Sequence, residues 1–327
     1  MFKHLLVPLD GSAMSEAALP MAALLASRTG ASLMLMHVIE KNAPSAVHSD
    51  RHLVNPEEAR AYLEGLAGRP PLSGLRVETH VHTAEVRDVA RSITEHSAEI
   101  APVARDGERG RDDNVGRPSI MVVMTSHGKG GARRLFSGAI AQQVVGAGDT
   151  PVLLVRPEGA TGQAEPWKLI LAPIDGDPSH ERGLPIAADL ALAFSCRLHL
   201  LMVTHTSGSL AGTEHAAGTL LPNATRIKLE MESAAADEYL DARTAELAGR
   251  GVRTGHEASR GDPARAIVKS ARKLAADLVV MGTHGRAGTN AFFEGSVAAR
   301  VISRTATPLL LVPLKATPGR GETAPIS

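Results

Sequence analysis

The residues of this chain best suited to chemistry are three glycines and a serine that lie between an apolar strand and a helix. They follow the order Gly282-Thr283-His284-Gly285, then nine residues, then Gly295-Ser296. Glycines let backbone N–H groups approach a ligand closely, and the free N–H groups where a helix begins favour an anion such as phosphate. The Ser296 hydroxyl adds a donor and Arg286 adds positive charge. The spacing predicts a phosphate-binding loop, although the chain has neither G-x-x-x-x-G-K-[ST] nor a G-x-G-x-x-G motif after a strand.

A second copy of this loop occurs in the N-terminal part of the chain and is degraded. It reads Thr125-Ser126-His127-Gly128, then nine residues, then Gly138-Ala139. Thr125 puts a side chain where close backbone approach is needed, and Ala139 removes the hydroxyl donor. Losing a hydrogen bond to a charged group costs about 1.5–3 kcal/mol, or roughly one to two decades in affinity. A weak or empty site is therefore predicted in the N-terminal copy.

The two loops belong to a repeat that runs through the chain. The matched segments are HLLVPLD at 4–10 with LILAPID at 169–175, MVVMTSHG at 121–128 with LVVMGTHG at 278–285, and TPVLLV at 150–155 with TPLLLV at 307–312. We therefore predict two similar domains, at residues 1–156 and 167–314, joined by a polar linker at 157–166. A charged insertion at about 101–119 is interpreted as an exposed loop, and the tail at 315–327 as disordered.

Each copy follows the same order of predicted elements. An apolar strand ends in an aspartate and a polar turn, at Asp10 in the first copy and at Asp175 in the second. An Ala/Leu-rich helix follows, near residues 15–29 and 180–194, and strands and helices then alternate to the end of the copy. Such alternation indicates right-handed βαβ crossovers. The predicted fold class is α/β, with two tandem open, mostly parallel five-stranded sheets that carry helices on both faces.

The composition argues against several classes of protein. Lys plus Arg and Asp plus Glu both number 35, so the formal net charge is zero and no nucleic-acid partner is expected. Aromatic residues make up only 2%, which argues against base-stacking platforms. Cys196 is the single cysteine, so a disulfide within the chain is impossible and a reducing compartment is favoured. Because no signal peptide and no run of about 18 apolar residues is visible, we expect a cytoplasmic protein without a membrane partner.

The chain resembles the universal stress protein family in its tandem, two-domain form. The ATP-binding members of that family carry G-2x-G-9x-G-[ST] after the fourth strand, and Gly282, Gly285, Gly295 and Ser296 fit the pattern at every defined position. The resemblance covers nearly the whole chain, to about residue 314. It implies a Rossmann-like fold of the adenine nucleotide alpha hydrolase type, with ATP as the ligand, often with Mg²⁺ or Mn²⁺, and a role in stress response or regulation.

The resemblance also implies which residues hold the nucleotide. Those around the adenosine would be Asp175, Val203 beside the base, Gly282 near the ribose, and Pro173, Ile174 and Met281 along the adenine slot. Those around the phosphates would be Gly285, Arg286, Gly295, Ser296 and Val297. The residues that remain in the N-terminal copy, for at most a weak second site, are Asp10, Val38, Gly128 and Gly138.

Two histidines of the first copy have two interpretations. His80 and His82 alternate along the predicted third strand, so they share a face and could meet a metal ion. No third ligand is evident, and the second copy has Gly255 and Glu257 at comparable positions. A partly exposed strand face is the preferred interpretation, and no metal site is predicted.

The last strands of the two copies, at residues 151–155 and 308–312, are short and apolar. Such edge strands promote aggregation unless they are paired, and in the resembling family they pair between domains. We therefore predict an internal pseudo-dimer of the two domains, with a homodimer as a further arrangement.

Three functions stay open at this point. The first is an ATP-binding regulatory protein that acts mainly through its C-terminal copy. The second is a slow ATPase or nucleotidyl-transferring enzyme, although no general base is evident in the motif and no catalytic residue is assigned. The third is an interaction module in which neither copy binds nucleotide.

Overall fold

The structure is a computed structural model, and it describes most of both copies of the repeat. The described residues are 1–41, 46–47, 50–86, 88–100, 119–126, 139–147, 150–157, 164–209, 216, 220–284 and 296–314. The predicted charged insertion and most of the linker lie outside them, and so does the whole of the predicted tail. Below, residues 1–157 are called the N-terminal half and residues 164–314 the C-terminal half.

Strands and helices alternate along both halves. The strands are β1 His4–Pro8, β2 Ser32–Glu40, β3 Ala46–Val47, β4 Asp50–Arg51, β5 Val77–Val86, β6 Ile120–Thr125, β7 Val152–Val155, β8 Leu169–Ile174, β9 Arg197–Thr204, β10 Arg253–Arg260, β11 Leu278–His284 and β12 Leu309–Leu314. The α-helices are α1 Ala13–Glu16, α2 Leu19–Thr29, α3 Pro56–Ala67, α4 Val89–Ile100, α5 Ala139–Ala147, α6 Gly183–Ala193, α7 Pro222–Gly249, α8 Pro263–Lys273 and α9 Val297–Ile302. Single turns of 3-10 helix lie at Pro178–His180 and Ser207–Ser209.

Ten of the strands form one sheet, in the order β10-β9-β8-β11-β12-β7-β6-β1-β2-β5. In each half the spatial order is third, second, first, fourth and fifth strand, and neighbours within a half are parallel. This arrangement confirms the predicted α/β class and its open, mostly parallel sheet. The short strands β3 and β4 form a separate antiparallel pair that the sequence did not indicate.

The two halves join edge to edge through their last strands. β7 and β12 are antiparallel, with Leu153 opposite Leu310 and Val152 opposite Leu311. Leu153 and Leu310 are 1% and 0% exposed. The two five-stranded sheets predicted from the sequence are therefore continuous, and the predicted pairing of the last strands is present.

Helices cover both faces of the sheet. Side chains of α2, α3, α6 and α7, including Leu63 and Leu240, pack in one buried cluster, which defines the front face. Side chains of α4, α5, α8 and α9, including Ile93 and Val301, pack in a second cluster, which defines the back face. Among the described helices, none combines the length and the apolar character that crossing a bilayer requires.

The first helix of the N-terminal half is divided where the sequence predicts one helix over residues 15–29. α1 ends at Glu16 and α2 begins at Leu19, with Pro20 in its first turn. Proline lacks an N–H group and is tolerated in a first turn but not inside a helix, so the helix restarts at this point. Gly30, in the left-handed region with φ of 72°, ends α2.

Strand β11 extends beyond the apolar run from which it was predicted. Residues 282–284 continue the strand and pair with residues 312–314 of β12. The first part of the predicted glycine loop is therefore strand, because the neighbouring strand is long enough to satisfy its backbone groups.

Candidate functional site

The candidate site lies at the carboxyl ends of β8 and β11, where the strand order of the C-terminal half reverses. β8 pairs with β9 at six registered positions. Its ladder with β11 has two, Ile170 with Leu278 and Leu171 with Val279. The remaining ends of β8 and β11 are not paired with each other, and open α/β sheets bind ligands in the crevice at such a reversal.

Asp175 follows β8 directly and presents its carboxylate at this crevice. One carboxylate oxygen accepts a hydrogen bond from the Asp177 amide at 3.1 Å, and the other lies 2.6 Å from Nδ1 of His180. The bond to Asp175 raises the pKa of His180 above its ordinary value of 6.5. Asp175 is thus oriented by protein groups while 58% of its side chain stays exposed.

His180 is a residue of the site that sequence reasoning missed. The 3-10 turn that ends at His180 is capped by Asp177, whose carboxylate accepts a hydrogen bond from the Ser179 amide at 2.9 Å. This turn brings the imidazole back onto Asp175. The available signal was a difference between the copies, because Ser15 stands five residues after Asp10 where His180 stands five after Asp175.

Gly282 is the point at which the connection from β8 to α6 meets β11. A Cβ atom at this position would lie 2.8 Å from the His180 carbonyl oxygen and 3.2 Å from Cδ2 of Leu314. Non-bonded carbon atoms stand about 3.5–4.0 Å apart at their optimum, so a side chain does not fit here. The N-terminal half has Thr125 at the corresponding place, 6% exposed, so that crevice accommodates a side chain that this one excludes.

Three of the four apolar residues expected around the adenine lie on the back face of the sheet. Met281 is buried and Val203 is half-buried against the back-face cluster. Pro173 pairs in register with Leu201, a member of that cluster, and registered neighbours in parallel strands point to the same face. Ile174 packs against the front-face cluster instead. The structure therefore brings Pro173, Val203 and Met281 to one wall and places Ile174 on the other face.

Ser296 caps the helix that follows the predicted phosphate loop. Its Oγ accepts a hydrogen bond from the Ala299 amide at 3.1 Å, and its backbone is extended. Because the hydroxyl accepts in this bond, its own hydrogen stays available to a ligand. Val297 is the first residue of α9 and packs half-buried on the back-face cluster. Three other predicted phosphate residues lie outside the described residues: Gly285, Arg286 and Gly295.

An ion pair beside this helix was also missed by sequence reasoning. Arg300 of α9 donates through Nη1 to the carboxylate of Asp262, which also caps α8 by accepting from the Arg265 amide at 2.9 Å. The bond to Arg300 lowers the pKa of Asp262 below its ordinary value of 3.8. The pair ties the helix after the glycine loop to the segment that follows β10. The N-terminal copy has Gln143 where Arg300 stands, so it lacks this ion pair.

The corresponding crevice of the N-terminal half is lined by the chain's own polar groups. The Asp10 carboxylate accepts hydrogen bonds from the amide and the hydroxyl of Ser12, at 2.9 and 2.6 Å. The Asp50 carboxylate accepts from the Ala13 amide at 3.0 Å, at the beginning of α1. A second carboxylate therefore lies at the turn that follows Asp10, the counterpart of Asp175.

His37 holds the segment that follows Asp50 against the same strand ends. Its Nδ1 lies 2.8 Å from the Leu9 carbonyl oxygen and its Nε2 lies 2.8 Å from the Leu53 carbonyl oxygen. Val38, expected beside a second base, is 6% exposed, whereas Val203 is half-buried. The other two residues of the expected second site lie outside the described part of the chain: Gly128 and Gly138.

Comparison with known proteins relates both halves of the chain to one protein family. A model of the Universal stress protein family matches residues 1–102 and 166–313. A universal stress protein of Mycolicibacterium smegmatis is 25% identical over 324 residues, which is 94% of this chain and 96% of that protein. A universal stress protein of Methanocaldococcus jannaschii is 30% identical over 150 residues, 45% of this chain and 82% of that protein. Among solved structures, a universal stress protein from Archaeoglobus fulgidus aligns with a TM-score of 0.63 and 15% identity over 95% of this chain and 96% of its own. That last likeness concerns the fold alone.

Proposed function

The chain belongs to the universal stress protein family, and from this premise we propose that its C-terminal half binds an adenine nucleotide, with ATP as the main ligand. The bound nucleotide would make the protein a regulator whose contacts depend on its occupancy. The N-terminal half would act as a structural partner with at most weak affinity. One observation carries the proposal: the complete G-2x-G-9x-G-S spacing leads from Gly282, in strand β11, to Ser296, which caps helix α9.

The described residues support a position for the adenosine. Pro173, Val203 and Met281 form an apolar wall on the back face, to which a planar base adds by burying its own surface. Asp175 is oriented by the Asp177 amide and by His180, and its carboxylate accepts hydrogen bonds from hydroxyl or amino groups. A pre-oriented acceptor lowers the ordering cost of binding. Ile174 lies on the front face, so we assign it to packing and not to the base.

Ser296 supports a position for the phosphates. Its hydroxyl keeps one hydrogen to donate after it has accepted from the Ala299 amide. Asp262, a carboxylate that contacts α9, is already bonded to Arg300 and to the Arg265 amide. We therefore assign no protein ligand to the Mg²⁺ or Mn²⁺ ion that the family resemblance implies.

The difference between the halves supports a single main site. In the N-terminal half a second protein carboxylate, Asp50, already uses the Ala13 amide, in the turn that follows Asp10. Val38 is 6% exposed where its counterpart Val203 is half-buried, so it offers less apolar surface to a base. Thr125 and Ala139 replace the first glycine and the serine of the motif.

The identity of the ligand is the test of this function. The purified full-length chain is denatured, any released nucleotide is identified by mass spectrometry, and the stripped protein is titrated calorimetrically with ATP and with GTP. We expect saturable ATP binding that is at least about tenfold tighter than GTP binding, and a loss of about tenfold or more for Ser296→Ala. Ser296→Thr keeps the cap and the donor and should bind like the wild type. Equal affinities for ATP and GTP, or no saturation by either, would contradict the proposal.

A further inference from the structure

Three histidines of the N-terminal half meet between the sheet edge and a helix. His80 and His82 lie two residues apart on β5, the edge strand of the sheet, and so share one face. The structure adds His96 from α4, which the sequence gave no reason to place beside them. The ring centroid of His96 lies 4.7 Å from that of His80 and 5.0 Å from that of His82. One ligand nitrogen from each ring can be chosen so that all three lie within 4.8 Å of one another.

The hydrogen bonds around the cluster leave imidazole nitrogens without a protein partner. Nδ1 of His96 lies 3.0 Å from the Ser92 carbonyl oxygen and donates to it, which leaves the Nε2 lone pair unprotonated in the neutral ring. Metal-binding histidines commonly donate their other N–H to a backbone carbonyl in this way. Nε2 of His80 is buried and has no hydrogen-bond partner among the described residues. An unpartnered buried nitrogen costs free energy, and a bound metal ion would remove that cost.

We propose that His80, His82 and His96 form a binding site for a divalent transition-metal ion of the Zn²⁺ class. Three neutral imidazoles suit zinc and its neighbours in the first transition row, whereas Mg²⁺ and Ca²⁺ prefer oxygen ligands. With Zn–N distances of about 2.0–2.1 Å, tetrahedral geometry places ligand nitrogens about 3.3–3.4 Å apart. The ligand nitrogens therefore need to approach one another by at most about 1.5 Å, on the order of a side-chain rotation. Three protein ligands leave the fourth position for water or another small ligand.

Charged groups near the cluster act on His80 in opposite directions. Burial first, and then the two neighbouring histidines, lower the pKa of His80 from its ordinary value. Glu99 follows His96 by three residues on α4, and its charge acts on His80. A bound ion would join α4 to the edge strand β5.

Among the described residues of the C-terminal half no such cluster lies at the same place, so this half serves as an internal comparison. The sheet register aligns His80 with Glu257 and His82 with Ser259, because Met36 pairs with His80 as Leu201 pairs with Glu257. This corrects the sequence-based comparison with Gly255 and Glu257. In that half the Glu257 carboxylate is paired with Lys273 at 3.3 Å. One fold position thus holds an ion pair in one half and three histidines in the other.

Zinc binding to the full-length chain, prepared without an affinity tag, tests this site. The protein is stripped with a chelator and titrated with ZnCl₂ by calorimetry, and with CoCl₂ to record the visible absorption of a tetrahedral cobalt site. We expect one equivalent of strongly bound metal, and a loss of about tenfold or more in affinity for His96→Gln. His205→Gln, which removes an exposed histidine of the C-terminal half, should leave binding unchanged. Equal binding by wild type, His96→Gln and His205→Gln would overturn the proposal, as would the absence of saturable binding to the wild type.

A second measurement on the wild type does not depend on the folding of a variant. Acylation of histidines by diethyl pyrocarbonate is followed by mass spectrometry with and without ZnCl₂. We expect Zn²⁺ to protect His80, His82 and His96 while His205 stays reactive. Protection that is equal at all four positions, or absent from the three, would refute the site.

Discussion

A methyl group at position 282 should show how closely the two sides of the crevice approach each other. In Gly282→Ala the new Cβ would lie 2.8 Å from the His180 carbonyl oxygen and 3.2 and 3.3 Å from the two Cδ atoms of Leu314. The first contact, between a carbon and a carbonyl oxygen, is shorter than Cβ contacts in real proteins, and the two with Leu314 are shorter than the carbon–carbon optimum of about 3.5–4.0 Å. Leu314 can rotate, but the carbonyl oxygen belongs to the backbone, so the turn that carries His180 has to move.

The magnitude follows from overpacking of a half-buried position in close contact with the backbone, and overpacking typically costs about 1–3 kcal/mol. For a domain of 150–250 residues each kcal/mol lowers Tm by about 2–4 °C, so a decrease of roughly 2–12 °C is expected for the C-terminal half. The displaced turn also carries the bond from His180 to Asp175. Loss of one hydrogen bond to a charged group should weaken ATP binding by about tenfold or more.

Differential scanning fluorimetry and an ATP titration measure both effects. Gly249→Ala is the matched control, because no atom lies within 4 Å of the Cβ that it adds in α7. Alanine is the better helix former, so this variant should be neutral or slightly more stable than the wild type. If Gly282→Ala behaves like Gly249→Ala in both measurements, the close approach at the crevice is refuted.

Three other substitutions have defined outcomes. Folding raises the pKa of His180 above 6.5, so its bond to Asp175 stabilises the protein below pH 6.5. This stabilisation is lost as the pH rises through the raised pKa. His180→Gln should therefore lower Tm more at about pH 5.5 than at about pH 8.5. Arg300→Gln should cost about 1 kcal/mol at neutral pH, since the pair with Asp262 is partly exposed. The stability lost in Arg300→Gln should be smaller in acid. Because folding lowers the pKa of Asp262 below 3.8, the pair stabilises the protein above that pH, and this contribution is lost as the pH falls through the lowered value. Leu310→Ala in the joined strands should cost about 2–5 kcal/mol, measured by urea unfolding.

The chain offers a matched control for each of these substitutions. His205→Gln removes an exposed histidine, Gln143→Ala alters the N-terminal counterpart of Arg300, and Leu192→Ala removes a leucine that is 45% exposed. A pH-independent effect of His180→Gln, or a loss for Gln143→Ala as large as that for Arg300→Gln, would contradict the interactions described. Equal losses of unfolding free energy in Leu310→Ala and Leu192→Ala would contradict the burial of Leu310 between the joined strands.

The repeat made most of the fold predictable. An offset of 165 residues relates Asp10 to Asp175, and the two aspartates follow β1 and β8, which are equivalent strands in the sheet. Period and composition therefore located the strands. The apolar strands at Leu153 and Leu310 indicated edges that need a partner, and the family resemblance implied that they pair with each other, as the structure has them. Local patterns suffice for these features because each strand carries its own burial signal.

The sequence was less informative about contacts between distant side chains. Arg300 and Asp262 are 38 residues apart, and their bond depends on where α9 packs beside α8. The Asp50 carboxylate reaches the Ala13 amide from a segment without regular hydrophobic alternation. His96 joins His80 only because α4 returns along the edge strand. Such contacts follow from tertiary packing, on which a local pattern is silent.

The most direct test of the central claim is the stoichiometry and location of ATP binding in the full-length chain. Calorimetric titration is run on the stripped wild type and on two equivalent variants, Asp175→Asn and Asp10→Asn, in which the amide keeps the turn contact but removes the charge. We expect one ATP per chain, a loss of affinity of about tenfold or more for Asp175→Asn, and unchanged affinity for Asp10→Asn. Two equivalent sites per chain, or a loss confined to Asp10→Asn, would contradict it.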